Sequence, residues 1–286
     1  MTPTAPVHPH HILRATVVAF AAVAALAACS SPVAPALDDA FAGAQDDAEY
    51  DAPAPGVPWQ LVLNGDAPSD PGAAVYDLDA SVSTKRLDAL RADNSSVYLV
   101  CYLSVGTWED WRNDADAFPD EVLGEALPDW EGERYVDVTA TDVLHPIWQA
   151  RLDACAASGF DAVDPDNIDI YANVSGFSIT ADEVTELMVW LANEAHARGM
   201  AIGQKNAPEL VADLEPLLDF AVVEQCLEQA GCAAYAPYAA AGKPVFAVEY
   251  PADAVVPEGY CDLAAAAGLS LLVSTQALDA PGVRCP

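Results

Sequence analysis

The acidic side chains of this sequence recur at one kind of place, where a short apolar run stops. Asp77 and Asp79 close the run ending VYDLD. Ser104 closes the next, with Gly106, Glu109 and Arg112 just beyond, and Asp137 closes another. Asp164, Asp166, Asn167 and Asp169 then follow one another, and Lys205 with Asn206, Glu224 with Gln225, and Glu249 with Tyr250 end three later runs. A single acid at such a place serves equally well as a helix cap. Carboxylates at five or more ends of one ring are different, because like charges brought together cost energy unless a ligand or the chemistry needs them. Paired carboxylates suit glycoside hydrolysis: one protonates the leaving oxygen while the other attacks the sugar or activates a water.

Rival chemistries run short of residues. A Ser-His-Asp triad or a catalytic zinc wants histidines. Beyond the leader there are only His145, before Pro146 at a helix start, and His196, in the last turn of a helix. Both read as structural. A magnesium or calcium site on the acids of 164–169 is the remaining metal alternative, but neither a metal nor a cofactor is expected. Tyr76, Tyr102, Trp108, Trp111, Tyr171 and Tyr250 lie at or just after run ends. Their faces could stack on pyranose rings, although strand aromatics also fill cores.

The elements that must position these residues alternate in type. Candidate strands are 59–63, 73–77, 97–103, 134–138, 159–164, 200–204, 219–224, 244–249 and 269–273. Most are apolar without strict alternation, as in parallel strands buried on both faces. Helical spacing marks 83–92, 143–157, 180–198 and 207–217. The third opens with Thr180 and Glu183 in capping-box spacing and stops at Gly199. Strand–helix alternation means a parallel α/β fold, closed or open. No GxGxxG follows any strand, which counts against a nucleotide-binding open sheet. The expected fold is a (β/α)8 TIM-type barrel, whose active site gathers at the C-terminal strand ends. Nine strands are one too many for eight places. The 64–72 gap is too short for a crossover helix, so the first two strands are the suspect pair.

Ahead of the barrel domain at 58–286, the chain reads as a disordered leader and tether. Residues 15–28 are continuously apolar, too short for the roughly 20 residues a membrane span needs, and fit a signal-peptide core. They end in Leu26-Ala27-Ala28-Cys29, which looks like a lipobox: residues 1–28 would be removed and Cys29 lipidated, giving an exported, membrane-anchored lipoprotein. Ordinary signal cleavage is the alternative. Residues 29–57, rich in Ala, Pro and Asp, read as a flexible tether.

Six cysteines remain after Cys29, an even number that suits disulfides in an exported chain. Cys226 and Cys232 are close enough to close a small loop. Among the other pairings, Cys101–Cys155 and Cys261–Cys285 are favoured. The formal charge of −33 repels nucleic acid and anionic headgroups and would attract a cationic substrate, or it simply keeps an exported protein soluble. A monomer is expected.

Several segments, in order, resemble glycoside hydrolase family 114, the endo-α-1,4-polygalactosaminidases. They are Val75 to Asp79; Cys101 to Gly106 with Trp111-Arg112; Gly159 to Asp169; Gly203-Gln204-Lys205-Asn206; Glu224-Gln225-Cys226 with Cys232; and Gly242 to Tyr250. The resemblance implies a (β/α)8 barrel that cleaves α-1,4-linked galactosamine polymers, with Asp166 and Glu224 in the catalytic places. Gln204 stands where an apolar residue is expected, and Asp164 where Glu is. Asp77, Asp79, Tyr102, Asp164, Asn167, Lys205, Asn206, Glu249 and Tyr250 are the expected substrate-binding residues, with Asp77 and Glu249 lining the cleft. The expected partner is a cationic galactosaminoglycan. A non-catalytic glycan-binding lipoprotein on the same barrel, or a hydrolase of another amino-sugar polymer, are the alternatives. A carboxyl separation of about 5–5.5 Å, the retaining geometry, is expected.

Overall fold

The computed structural model describes residues 49–65, 70, 72–128 and 130–285. The leader and Cys29 lie outside the described residues. Eight parallel strands follow one another around the sheet: β1 (Trp59–Val62), β2 (Val75–Asp79), β3 (Tyr98–Ser104), β7 (Ala162–Asp166), β8 (Ala201–Lys205), β9 (Phe220–Glu224), β10 (Val245–Glu249) and β11 (Leu269–Val273). The strands β4 (Thr107–Glu109), β5 (Leu123–Ala126) and β6 (Glu133–Val136) form a separate antiparallel sheet, inserted between β3 and the helix that leads to β7. A last strand, β12 (Val283–Arg284), pairs antiparallel with β11.

The extra strand is therefore the fourth candidate, 134–138, and the suspected first pair is genuine. Trp59 pairs with Val75 and Val62 with Leu78 in a parallel ladder, although no helix joins the two strands among the described residues. The signal for β6 lay in its composition. Arg134 faces outward between buried Glu133 and Tyr135, the alternation of an antiparallel strand covered on one side. Arg134 also donates to the carbonyls of Leu123 and Gly124, at 3.0 Å each, which ties β6 to β5.

Helices α1 (Thr84–Asp93), α2 (Thr141–Ser158) and α3 (Ala181–Ala197) cover the sheet. The Thr180–Glu183 capping box forms as expected. The expected helix 207–217 is shorter: a 3-10 turn at Pro208–Leu210 leads into one helical turn, Val211–Leu214. Two further short helices, Ala236–Ala240 and Tyr260–Ala267, precede β10 and β11.

Strand parity divides the core. Trp59, Leu61, Val75, Val100, Ala162, Ala201, Phe220, Val222, Phe246 and Val248 pack together inside the barrel. The intervening residues, such as Leu78, Leu99, Val163, Ile202 and Val223, pack outward with helix residues including Leu152, Val184, Met188 and Leu191. Because side chains alternate along a strand, Val75 inside puts Asp77 inside, Ala162 puts Asp164 and Asp166 inside, Ala201 puts Lys205 inside and Phe220 puts Glu224 inside. Gly203 leaves room in this file: a Cβ there would stand 2.5 Å from the Phe220 ring.

The first and last parallel strands meet across a seam. The Trp59 indole donates to the Ser270 carbonyl at 2.9 Å, and the Leu63 and Asn64 amides donate to the Leu278 carbonyl at 3.0 Å. Gln60, fully buried, donates to the Gly282 carbonyl at 3.2 Å and accepts from its amide at 2.8 Å. Arg284 pairs with Asp70 at 2.8 Å. All three expected disulfides are present: Cys101–Cys155, Cys226–Cys232 and Cys261–Cys285. Residues 49–57, read from composition as the end of the tether, touch the barrel. Tyr50 stacks on His196 with ring centroids 4.4 Å apart, and Val57 packs on the inner core. The packed body therefore begins by Tyr50, ahead of the 58 boundary.

Candidate active site

Three neighbouring barrel strands end in Asp166, Lys205 and Glu224, and each is followed by a residue with left-handed backbone. The φ values are 63° at Asn167, 48° at Asn206 and 55° at Gln225. Asparagine tolerates this region better than most residues. The turn bends the chain away at once and leaves the last inward side chain at the rim. The first of these turns also sits against Gly106, where a Cβ would lie 2.0 Å from the Asn167 carbonyl oxygen.

The Lys205 ammonium lies between the two acids, 3.3 Å from Asp166 Oδ1 and 3.5 Å from Glu224 Oε2. These two oxygens are thus no more than about 7 Å apart, the two contacts laid end to end, which is below the roughly 9.5 Å limit for carboxylate pairs that cleave glycosides. Each acid has a tyrosine of its own. Tyr102 Oη donates to Asp166 Oδ2 at 2.6 Å, and Tyr250 Oη donates to Glu224 Oε1 at 2.5 Å. The Asn167 amide donates to Asp166 Oδ1 at 2.8 Å. Asn206 holds Glu224 twice, its Nδ2 donating to Oε2 at 3.2 Å and its Oδ1 accepting from the Glu224 amide at 2.9 Å.

Burial alone would raise Asp166, but Lys205, Tyr102 and the Asn167 amide outweigh it and hold this carboxyl below its ordinary range. Burial opposes the charge on Lys205, yet Asp166, Glu224 and Asp164 raise it well above the usual lysine value. Burial and the adjoining carboxylates push Tyr102 and Tyr250 far up, so both remain neutral donors.

The cleft above this trio has a volume of about 560 Å³. Tyr102, Asp166, Asn167, Lys205, Asn206, Glu224 and Tyr250 all line it. Four expected substrate-binding residues do not. Asp77 and Asp164 point inward, one pleat too deep, and are 1% and 0% exposed. Asp79 is engaged by Arg112 at 2.8 Å. Glu249 alternates with Val248 and Tyr250, so it faces away. It accepts from the Leu227 and Glu228 amides at 2.7 and 3.2 Å, anchoring the loop that the Cys226–Cys232 disulfide closes. The metal alternative meets an obstacle too, since Lys205 occupies the space between Asp164 and Asp166 that a cation would need. His145 stacks on Trp190 with centroids 3.6 Å apart, and His196 bonds Asp219 at 2.9 Å, both structural roles.

The expected set omitted Glu133 and Trp130, which line the cleft from the inserted sheet. Glu133 joins the trio through a polar chain. Asn167 Nδ2 donates to Ser104 Oγ at 3.0 Å, Ser104 and Thr107 share a hydrogen bond at 2.6 Å, and Thr107 Oγ1 donates to Glu133 Oε2 at 3.1 Å. The sequence signal was present in β6 but assigned to a barrel strand.

A parallel barrel with two carboxylates at the ends of the strands on either side of the one that ends in a buried cation, both held by that cation, has the form of a glycoside hydrolase. The model of glycoside-hydrolase family GH114 matches residues 40–286, and the chain belongs to that family. The crystal structure of Aspergillus fumigatus Ega3 in complex with galactosamine is similar to it, with TM-score 0.77 and 34% identity, over 83% of this chain and 98% of that one. The glycoside hydrolase domain of Pseudomonas aeruginosa PelA shares the fold, with TM-score 0.61 and 18% identity over 80% and 98% of the two chains. An uncharacterized Deinococcus radiodurans protein is 31% identical over 218 residues, 66% of this chain and 68% of its own. The protein is a glycoside hydrolase.

Proposed function

We propose that the protein is an endo-acting hydrolase of α-1,4-linked galactosamine-containing polysaccharide, with Asp166 as nucleophile and Glu224 as general acid/base. The observation that carries this reading is the shared Lys205 ammonium, within 3.5 Å of both carboxylates. Asp166, held ionised, attacks the anomeric carbon while Glu224 gives its proton to the leaving oxygen. Glu224 then takes a proton from the water that releases the sugar from Asp166. Tyr102 and the Asn167 amide fix the attacking carboxylate, and Asn206 with Tyr250 fixes its partner. The substrate class rests on the family and on the likeness to Ega3, whose structure holds galactosamine. An acidic cleft wall containing Glu133 and Asp169 suits an amino sugar, and the net charge of −33 draws in a cationic chain.

Incubation with polygalactosamine, chitosan and a neutral glucan, read by mass spectrometry, tests the substrate. Fragments from polygalactosamine alone are expected, and their absence sinks the reading. Asp166→Asn and Glu224→Gln should each cut turnover by at least about 10²–10⁴-fold, the usual worth of such groups, with the fold intact by circular dichroism. Proton NMR of the first product should show the retained α anomer.

We further propose that Cys29 carries a lipid and that the enzyme works at the outer face of a membrane, exported by the leader of residues 1–28. Its support is the lipobox sequence. Membrane fractionation checks this: Cys29→Ser should release the protein to the soluble fraction, and unchanged association would refute the anchor.

A further inference from the structure

One pleat below the rim, the inward files of β2 and β7 carry the carboxyls of Asp77 and Asp164, 1% and 0% exposed. No hydroxyl or N–H of another described residue hydrogen-bonds any of their four oxygens. Each carboxyl lies close enough to the other to act on its charge. The cation in reach is Lys205, whose Nζ is 3.8 Å from Asp164 Oδ2. Asp77 has no ion pair among the described residues. The other titratable groups around this space are Tyr102 on β3, Asp166 above Asp164 on β7, Glu224 on β9 and Tyr250 after β10.

Two bare anions this close in a dry interior are untenable, whereas two neutral acids would leave Lys205 without its lower counterion. One proton shared by the pair satisfies both demands. Lys205 decides where the proton rests, because it favours the charge on the carboxyl it touches. We propose that Asp77 and Asp164 form a one-proton pair, with the proton resident on Asp77, and that the charge left on Asp164 is the fixed counterion holding Lys205 between Asp166 and Glu224. The inference rests on the catalytic reading of those two acids. Asp77 and Asp164 are positioning residues, since neither reaches the cleft.

The titration directions agree. Burial, then the nearby Asp164, holds Asp77 well above the carboxylate range. Burial opposed by Lys205 leaves Asp164 at about 6. In this arrangement Lys205 divides its attraction among three anions. Removing the lowest one leaves it wholly to the two acids at the rim, and it also removes a negative charge from beneath them. Both effects favour ionisation at the rim.

The test compares pH–rate profiles of Asp77→Asn and Asp164→Asn with the wild type on one batch of polygalactosamine, so the polymer's own amine titration is common to all three. Asp164→Asn should move both limbs toward acid by about one unit, the usual effect of one nearby charge, and lower kcat more than it alters KM. Asp77→Asn replaces one neutral donor by another: kcat should fall a fewfold while the limbs stay in place. Equal movement in both variants, or none in Asp164→Asn, overturns the proposal. Infrared difference spectra at neutral pH provide a readout independent of turnover. Wild type minus Asp77→Asn should show the carbonyl band of a protonated, buried carboxylic acid, and its absence also overturns the proposal. If the wild-type protein releases nothing from the polymer, the functional reading fails and the infrared experiment decides the pair alone.

Discussion

Burial, then the nearby Glu109, pushes Glu133 up to about 7, so its charge changes in the range where most enzymes work. Thr107 donates to one of its oxygens, and the residue lines the cleft. An ammonium group seated against it would favour the ionised form. Above pH 7, Glu133→Gln should therefore raise KM for the cationic polymer about tenfold, the worth of one modest charged contact. Below pH 6 the wild-type side chain is itself mostly neutral, and the difference should shrink. Fully acetylated oligomers provide the control. A KM ratio independent of pH and acetylation would exclude Glu133 from recognition. At this scale the sequence was partly legible. Asp166, Glu224, Lys205 and Tyr102 stood where apolar runs end, and the rim is built from such positions. The end of a run gives depth along a strand but not the face, and for that reason Glu249 was misplaced. Parity with Tyr250, one residue on, held the missing information.

Among the elements, parallel strands buried on both faces were readable because nothing polar interrupts them: Phe220–Glu224 is buried through its first four residues. The first strand pair was doubted because a parallel crossover ordinarily carries a helix, yet the link from Val62 to Val75 manages without one among the described residues. The helix expected at 207–217 was overcounted. Pro208 suits the first turn of a helix, but that turn is a tight 3-10 one and a single α-helical turn follows it, stopping at Leu214. Left-handed residues at three strand ends had no sequence signal beyond Asn167 and Asn206 themselves, since Gln225 is not a residue type that announces a positive φ. The inserted sheet is the most consequential element. It delivers Glu133 and Trp130 to the cleft from outside the barrel, so the strand ends alone do not form the whole wall of the site.

The charge of the whole molecule bears on its stability as well as its substrate. Glu133 is held at about 7 by burial first, Asp164 at about 6 by burial, and Asp77 above its normal range. In the unfolded chain these groups titrate near 4. The folded state therefore binds more protons between about pH 4 and 7, and folding stability from these groups is full below that window and lost as pH rises through it. Repulsion within a chain of net charge −33 acts in the same direction. The thermal midpoint should be several degrees higher at pH 5 than at pH 8, the shift expected of one or a few kcal/mol in a domain of this size. Added salt should narrow that gap by screening the surface share. A midpoint that rose from pH 5 to pH 8 would contradict the assignment of these protons.

The seam gives this barrel a schedule. Gln60 in the first strand finds its partner at Gly282, a sequence separation of 222, and Asp70 finds Arg284. At a synthesis rate of ~5–20 residues per second, the first strand is made about 10–40 s before the residues that latch it. Until then the sheet has two open edges and no ring. For a chain exported as proposed, that delay keeps the polypeptide threadable through a membrane. In a chain so exported, Cys261 and Cys285 would meet on the oxidising side; their bond ties the closing strand to the helix that precedes β11.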